Sequence, residues 1–135
     1  MHYLDTSAFL KILVAEAHSL ALRVAIADAD VWSSTLLAVE AHRAALRIGV
    51  SAADVDLRLA AVTLVVPSET MFVAARTVGT SELRTLDALH LSAALELGAD
   101  LDAVVTYDRR LAKACDGEGL VVVAPGLDAN WWKQD

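Results

Sequence analysis

A single cysteine, two prolines and an aromatic share of 5% leave this 135-residue chain with few structural specialities. Each scarcity removes a class of protein. With Cys115 alone, neither an internal disulfide nor a multi-thiolate zinc site can be built, and the thiol reads as packing. No linker, repeat or low-complexity segment breaks the chain, so residues 1–135 are expected to form one domain. No stretch reaches the roughly 18 uncharged apolar residues of a membrane span. Asp5 interrupts an N-terminus that lacks the basic opening of a signal peptide, and a cytoplasmic protein with no membrane segment is expected. A glycine-rich phosphate loop of the P-loop or dinucleotide type is also missing. Basic side chains are few as well: 11 against 18 acidic give a formal net charge of -7. That balance argues against holding nucleic acid by general attraction. It does not exclude a nuclease, because an enzyme working through bound divalent cations needs concentrated carboxylates.

What the chain has is aliphatic residue, 56% hydrophobic overall and rich in Ala, Val and Leu. Short apolar segments alternate with longer ones of helical period, the pattern of an α/β protein with helices covering a parallel sheet. Strands are predicted at His2–Leu4, Val31–Ser33, Thr63–Val66, Ala103–Thr106 and Leu120–Val123. After the first strand, Thr6 or Ser7 is expected to cap a helix through Leu13 and Val14. Helices follow at about Ser19–Ala29 and at Thr35–Ile48, the latter stopped by Gly49. A Ser51–Asp54 capping box opens another that ends near Ala61, and Ser68 caps one that ends before Gly79. Thr85 is expected to cap a strongly apolar helix reaching Leu97, and Asp108–Ala114 to form a short one. The tail from Gly126 is polar apart from Trp131 and Trp132, which suit packing, a dimer contact or base stacking.

In an open parallel sheet the site lies at the carboxyl ends of the strands, and two strands here lead into an acid, Asp5 and Asp108. Two more acids sit between apolar neighbours within helices, Glu40 in Leu36–Ala41 and Asp87 in Leu86–Leu89. A solvated position accounts for either one alone, and Asp87 also suits the positive end of its helix dipole. Convergence of all four accounts for them together, since like charges at close range repel unless a cation lies between them.

These segments resemble a known family. Asp5-Thr6-Ser7 straight after an N-terminal strand, Glu40 in an early helix, the run from Leu86 to Ala94 and the run from Val104 to Leu111 look like PIN-domain ribonucleases, specifically the VapC-like toxins of bacterial toxin–antitoxin pairs. The likeness spans nearly the whole chain. It implies a three-layer α/β/α sandwich around a parallel sheet, one or two Mg²⁺ or Mn²⁺ ions and endonucleolytic cleavage of RNA. It assigns Asp5, Glu40, Asp87 and Asp108 to an acidic quartet that is catalytic and metal-binding, with Ser7 and Thr106 as supporting hydroxyls. It also implies a cognate antitoxin whose tail enters the acidic groove, and a homodimer or toxin–antitoxin hetero-oligomer.

The chemistry suits these residue types independently of the likeness. Phosphodiester hydrolysis needs an activated water and a counter-charge for a pentacovalent phosphate, and carboxylate-held Mg²⁺ or Mn²⁺ provides both. Asp5, Asp87 and Asp108 are assigned metal contact, and Glu40 a second ligand or the base that orients water. His90 shares a helix face with Asp87 and reads first as a packed, hydrogen-bonded residue. RNA-binding candidates are Arg43 and Arg47, on the helix face of Glu40, and Arg109, Arg110 and Lys113 beyond Asp108. Other classes fit less well. A receiver-type phosphoacceptor domain needs an acidic pair after the first strand and a lysine after the last, where this chain has Ala124-Pro125. A haloacid-dehalogenase-type phosphatase needs an aspartate where Ser7 stands. A catalytically inactive binding module of PIN-like fold is the remaining alternative.

Overall fold

The computed structural model describes residues 1–134. Among them, five strands form one sheet: β1 (His2–Leu4), β2 (Val31–Ser34), β3 (Thr63–Val65), β4 (Ala103–Val105) and β5 (Val122–Val123). Their order is β3-β2-β1-β4-β5 and every pair is parallel. The chain builds outward from β1 through β2 to β3, then returns to place β4 on the other side of β1. The switch in direction falls between β1 and β4, where the loops leaving the two strands part and open a crevice.

Seven helices cover the sheet: α1 (Thr6–Leu13), α2 (Ser19–Ile26), α3 (Thr35–Ile48), α4 (Ala52–Leu59), α5 (Glu69–Ala75), α6 (Thr85–Glu96) and α7 (Arg109–Gly117). The alternation of strand side chains sorts them into two layers. Leu4 and Val105 point into a core with Phe9, Leu22, Leu37 and Val55, from α1 to α4. Their neighbours Tyr3 and Val104 point the opposite way, into a core with Met71, Leu91 and Leu111, from α5 to α7. The α/β/α sandwich expected from the sequence is the observed fold. Helix α6 is buried from Ala88 to Ala94, which explains its lack of a polar face. Cys115 is a fully buried core residue whose thiol is pushed up to about 12 by that burial. Trp132 is buried in a short 3-10 turn that packs on α7.

Local chemistry explains most boundaries. Gly49 ends α3 at φ 78°, a left-handed position that costs a residue without Cβ nothing. Ser51 and Ser68 accept the amides of Asp54 and Met71 and so start α4 and α5. Two caps differ from expectation. Asp5, rather than Thr6 or Ser7, caps α1 by accepting the Ala8 amide, the Ser7 hydroxyl being engaged with Asp5 itself and with the Tyr107 amide. Thr85 lies within the first turn of α6, and Arg84 holds the cap position without a side-chain bond. No helix among the described residues is long and apolar enough to cross a membrane.

Candidate active site

Asp5 joins β1 to α1 as the cap of that helix, so its side chain stands at the switch point, 3% exposed. Ser7 Oγ donates to its Oδ1 at 2.7 Å, the Ala8 amide to the same oxygen at 3.1 Å, and Thr106 Oγ1 to Oδ2 at 2.7 Å. A carboxylate has about four acceptor positions, so these bonds leave one free, on Oδ2. Both hydroxyls work in two directions. Ser7 Oγ accepts the Tyr107 amide at 2.9 Å and Thr106 Oγ1 accepts the Asp108 amide at 3.0 Å. The end of β4 is thereby tied to Asp5.

Asp108 follows two residues later as the cap of α7, its Oδ1 taking the amides of Arg110 at 2.8 Å and Leu111 at 3.2 Å. Its Oδ2 is outside those bonds. Asp87 enters from the first turn of α6, half-buried, and Glu40 from the middle of α3. Glu40 Oε1 lies 2.6 Å from Nε2 of the buried His90.

The electrostatics tie the four acids together. Burial raises the Asp5 carboxyl above its ordinary range, against the pull of the Ser7, Thr106 and Ala8 hydrogen bonds and of the nearby His90. Asp87 is raised from 3.8 to about 6, first by burial and then by Asp108 and Asp5, with Glu40 adding less and His90 opposing. Burial sets the largest share of that shift, and the part added by Asp108, Asp5 and Glu40 is repulsion that a bound cation would relieve. The donors are hard carboxylate oxygens, which fit Mg²⁺ or Mn²⁺. Among the described residues, however, no three His, Cys, Asp or Glu side chains are gathered into a ready-made metal cage. The acids repel one another across the crevice without closing on one point.

Of two clefts, one is lined by Glu40 and the other by residues next in sequence to Asp108. One of about 400 Å³ is lined by Thr6, Glu40, Arg43, Arg47 and Leu86, which puts both arginines on the Glu40 face as their spacing predicts. The other, about 730 Å³, is lined by Arg84, Arg109, Arg110, Lys113, Glu82 and Glu118. The motif runs do not include Arg84, although its place three residues before Asp87 is a usable signal. Tyr3, which meets His90, carries no local signal, since its partner is 87 residues away.

The fold and the site together define a parallel α/β sandwich with an acidic crevice at the switch point of its sheet. Comparison with known proteins narrows the class. The PIN domain family profile matches residues 2–117, and the chain belongs to the PIN-domain family. It is 36% identical over 133 residues to ribonuclease VapC47 of Mycobacterium tuberculosis, covering 93% of this chain and 98% of that protein. It is 40% identical over 125 residues to ribonuclease VapC46 of the same species, covering 91% of this chain and 96% of that one. Ribonuclease VapC35, also of that species, is 54% identical over 46 residues, about a third of each chain (33% and 34%). This is a VapC-like member of the family.

Proposed function

We propose that this chain is a Mg²⁺- or Mn²⁺-dependent endoribonuclease, acting as the toxin of a toxin–antitoxin pair. What carries the reading is that Asp5, Glu40, Asp87 and Asp108, from four different elements, face one crevice closely enough for the other three to raise the Asp87 carboxyl. It is supported by two ribonuclease relatives that align over nearly the whole chain. The unit is read as one nuclease domain over residues 1–135, working in the cytoplasm.

Asp5, Asp87 and Asp108 would hold the metal, and Glu40 would be a second ligand or orient the attacking water. A divalent ion there supplies a water made nucleophilic at neutral pH and positive charge for the pentacovalent phosphate. The protein's contribution is orientation. Ser7 and Thr106 fix both oxygens of Asp5, while the first amides of α7 fix one oxygen of Asp108. Flanking phosphates then meet cations on both sides: Arg43 and Arg47 in one cleft, and Arg84, Arg109, Arg110 and Lys113 in the other. An antitoxin that places an Arg or Lys beside Asp5 and Asp87 would neutralise the same charge and exclude metal and RNA together.

Incubation of the purified chain with a circular single-stranded RNA tests the reading, because only an endonuclease opens a circle. Linear product should form with added Mg²⁺ or Mn²⁺ and vanish with a chelator. An intact circle under all metal conditions, from folded protein, would leave the inactive binding module in its place.

A further inference from the structure

The contacts of His90 are not used by the mechanism above. The residue lies one helical turn beyond Asp87 and is 2% exposed, yet both ring nitrogens have partners. Nδ1 is 2.7 Å from Tyr3 Oη, and Nε2 is 2.6 Å from Glu40 Oε1. Thr6 Oγ1 makes a longer contact to Nε2 at 3.4 Å. Tyr3 is fully buried on β1, its ring edge-on to the imidazole with centroids 5.8 Å apart. The chain of bonds thus joins β1, α6 and α3.

Glu40 needs such a hold more than Asp5 and Asp108 do. Asp5 is pinned by three donors and Asp108 by two amides. Glu40 reaches out on a side chain with three torsions, all of which must be frozen to present its carboxylate in one place. For a neutral ring, hydrogen-bond chemistry gives the relay a single direction. An ionised carboxylate only accepts, so Nε2 must carry a hydrogen, and in the neutral ring Nδ1 is then the acceptor for the Tyr3 hydroxyl.

We propose that Tyr3 and His90 are positioning residues for RNA cleavage: the Tyr3 O–H fixes the His90 tautomer, and His90 Nε2–H holds Glu40 Oε1 so that Oε2 serves the crevice. The proposal rests on the nuclease reading and on Glu40's part in it. Metal sites elsewhere orient ligands through such carboxylate–histidine contacts, and losing the outer partner typically costs 10–100-fold.

The test is a double-mutant cycle on cleavage, paired with a measurement that needs no cleavage. His90→Leu should lower kcat by about 10–100-fold and leave the KM for RNA nearly unchanged. His90→Gln, whose amide nitrogen can stand in for Nε2–H, should recover most of that loss. Tyr3→Phe should give a smaller loss of the same kind. In a Glu40→Gln background, adding His90→Leu should cost less than about threefold, because the residue it acts through is already gone. Losses that instead multiply independently, or a folded His90→Gln as impaired as His90→Leu, would overturn the proposal. So would a Glu40→Gln variant with full activity. Imidazole ¹⁵N shifts of the metal-free protein report the relay whether or not RNA is cut. They should show hydrogen on Nε2 and a bare, accepting Nδ1, with that preference weakened by Tyr3→Phe. A ring protonated on Nδ1, alone or together with Nε2, would refute the relay without bearing on the nuclease reading.

Discussion

Asp87 and Asp5 are both raised by burial, yet their replacement should have opposite consequences, because only Asp5 is richly hydrogen-bonded. The Asp87 carboxyl is raised from 3.8 to about 6 in the folded protein, so the native state binds this proton more tightly than the unfolded chain does. The associated stabilisation is complete below about pH 4 and is lost as pH rises through about 6. Thermal melts of metal-free protein should therefore fall between those limits, and Asp87→Asn should flatten the fall. Because the group is half-buried and screened by solvent, the gain at neutral pH is about 1 kcal/mol. Asp5→Asn relieves the same repulsion but replaces an acceptor oxygen by a donor facing hydroxyls and an amide. A net loss of about 1–2 kcal/mol is expected there. Thr106→Val keeps the shape while stripping a donor from Asp5 and an acceptor from the Asp108 amide. A cost of about 1–3 kcal/mol in chemical denaturation is expected, with activity falling further than stability alone explains.

At the level of elements, α3, α6 and α7 each carry one acid of the crevice and basic residues close by in sequence, a spacing that gives the acidic centre its cationic flanks. If those flanks carry the RNA, Arg43→Ala, Arg84→Ala and Arg110→Ala should each weaken binding for all sequences alike. Each should also flatten the log–log salt dependence by about 0.7 for a single-stranded substrate. An unaltered slope in the triple variant would move the RNA path elsewhere. Much of this arrangement is legible in the sequence because it is local. Gly49 stops α3, Ser51 and Ser68 open α4 and α5, and the i+3 and i+7 spacing puts Arg43 and Arg47 beside Glu40. Where several capping residues are adjacent, as in Asp5-Thr6-Ser7, local pattern does not rank them, and three-dimensional contacts decide for Asp5. The last strand shrinks from the expected Leu120–Val123 to Val122–Val123, since an edge strand has a partner on one side only. The Tyr3–His90–Glu40 chain was out of reach altogether. Its bonds join residues 87 and 50 positions apart, and nothing local in the sequence encodes them.

For the whole molecule, a net charge of -7 and a polyanionic substrate are compatible only if the crevice is neutralised when RNA enters. The same negative charge suits a basic inhibitor segment. Expression of the chain alone should arrest growth, and coexpression with its antitoxin should relieve the arrest. Harmless accumulation of protein that cuts RNA in vitro would count against the toxin role while leaving the nuclease intact. Exposed aliphatic side chains such as Leu20, Val24 and Leu46 offer apolar surface for that partner or for a second copy of the chain. The nuclease itself stands or falls on the acidic quartet. The most direct measurement is the rate of RNA cleavage against Mn²⁺ concentration for wild type, Asp5→Asn, Glu40→Gln, Asp87→Asn and Asp108→Asn, with folding checked by circular dichroism. Wild type should saturate with metal, and each folded variant should lose at least about 100-fold at any metal concentration. Cleavage that persists undiminished in the Asp87→Asn and Asp108→Asn proteins, or that ignores a chelator, would contradict metal-dependent cutting by these four acids.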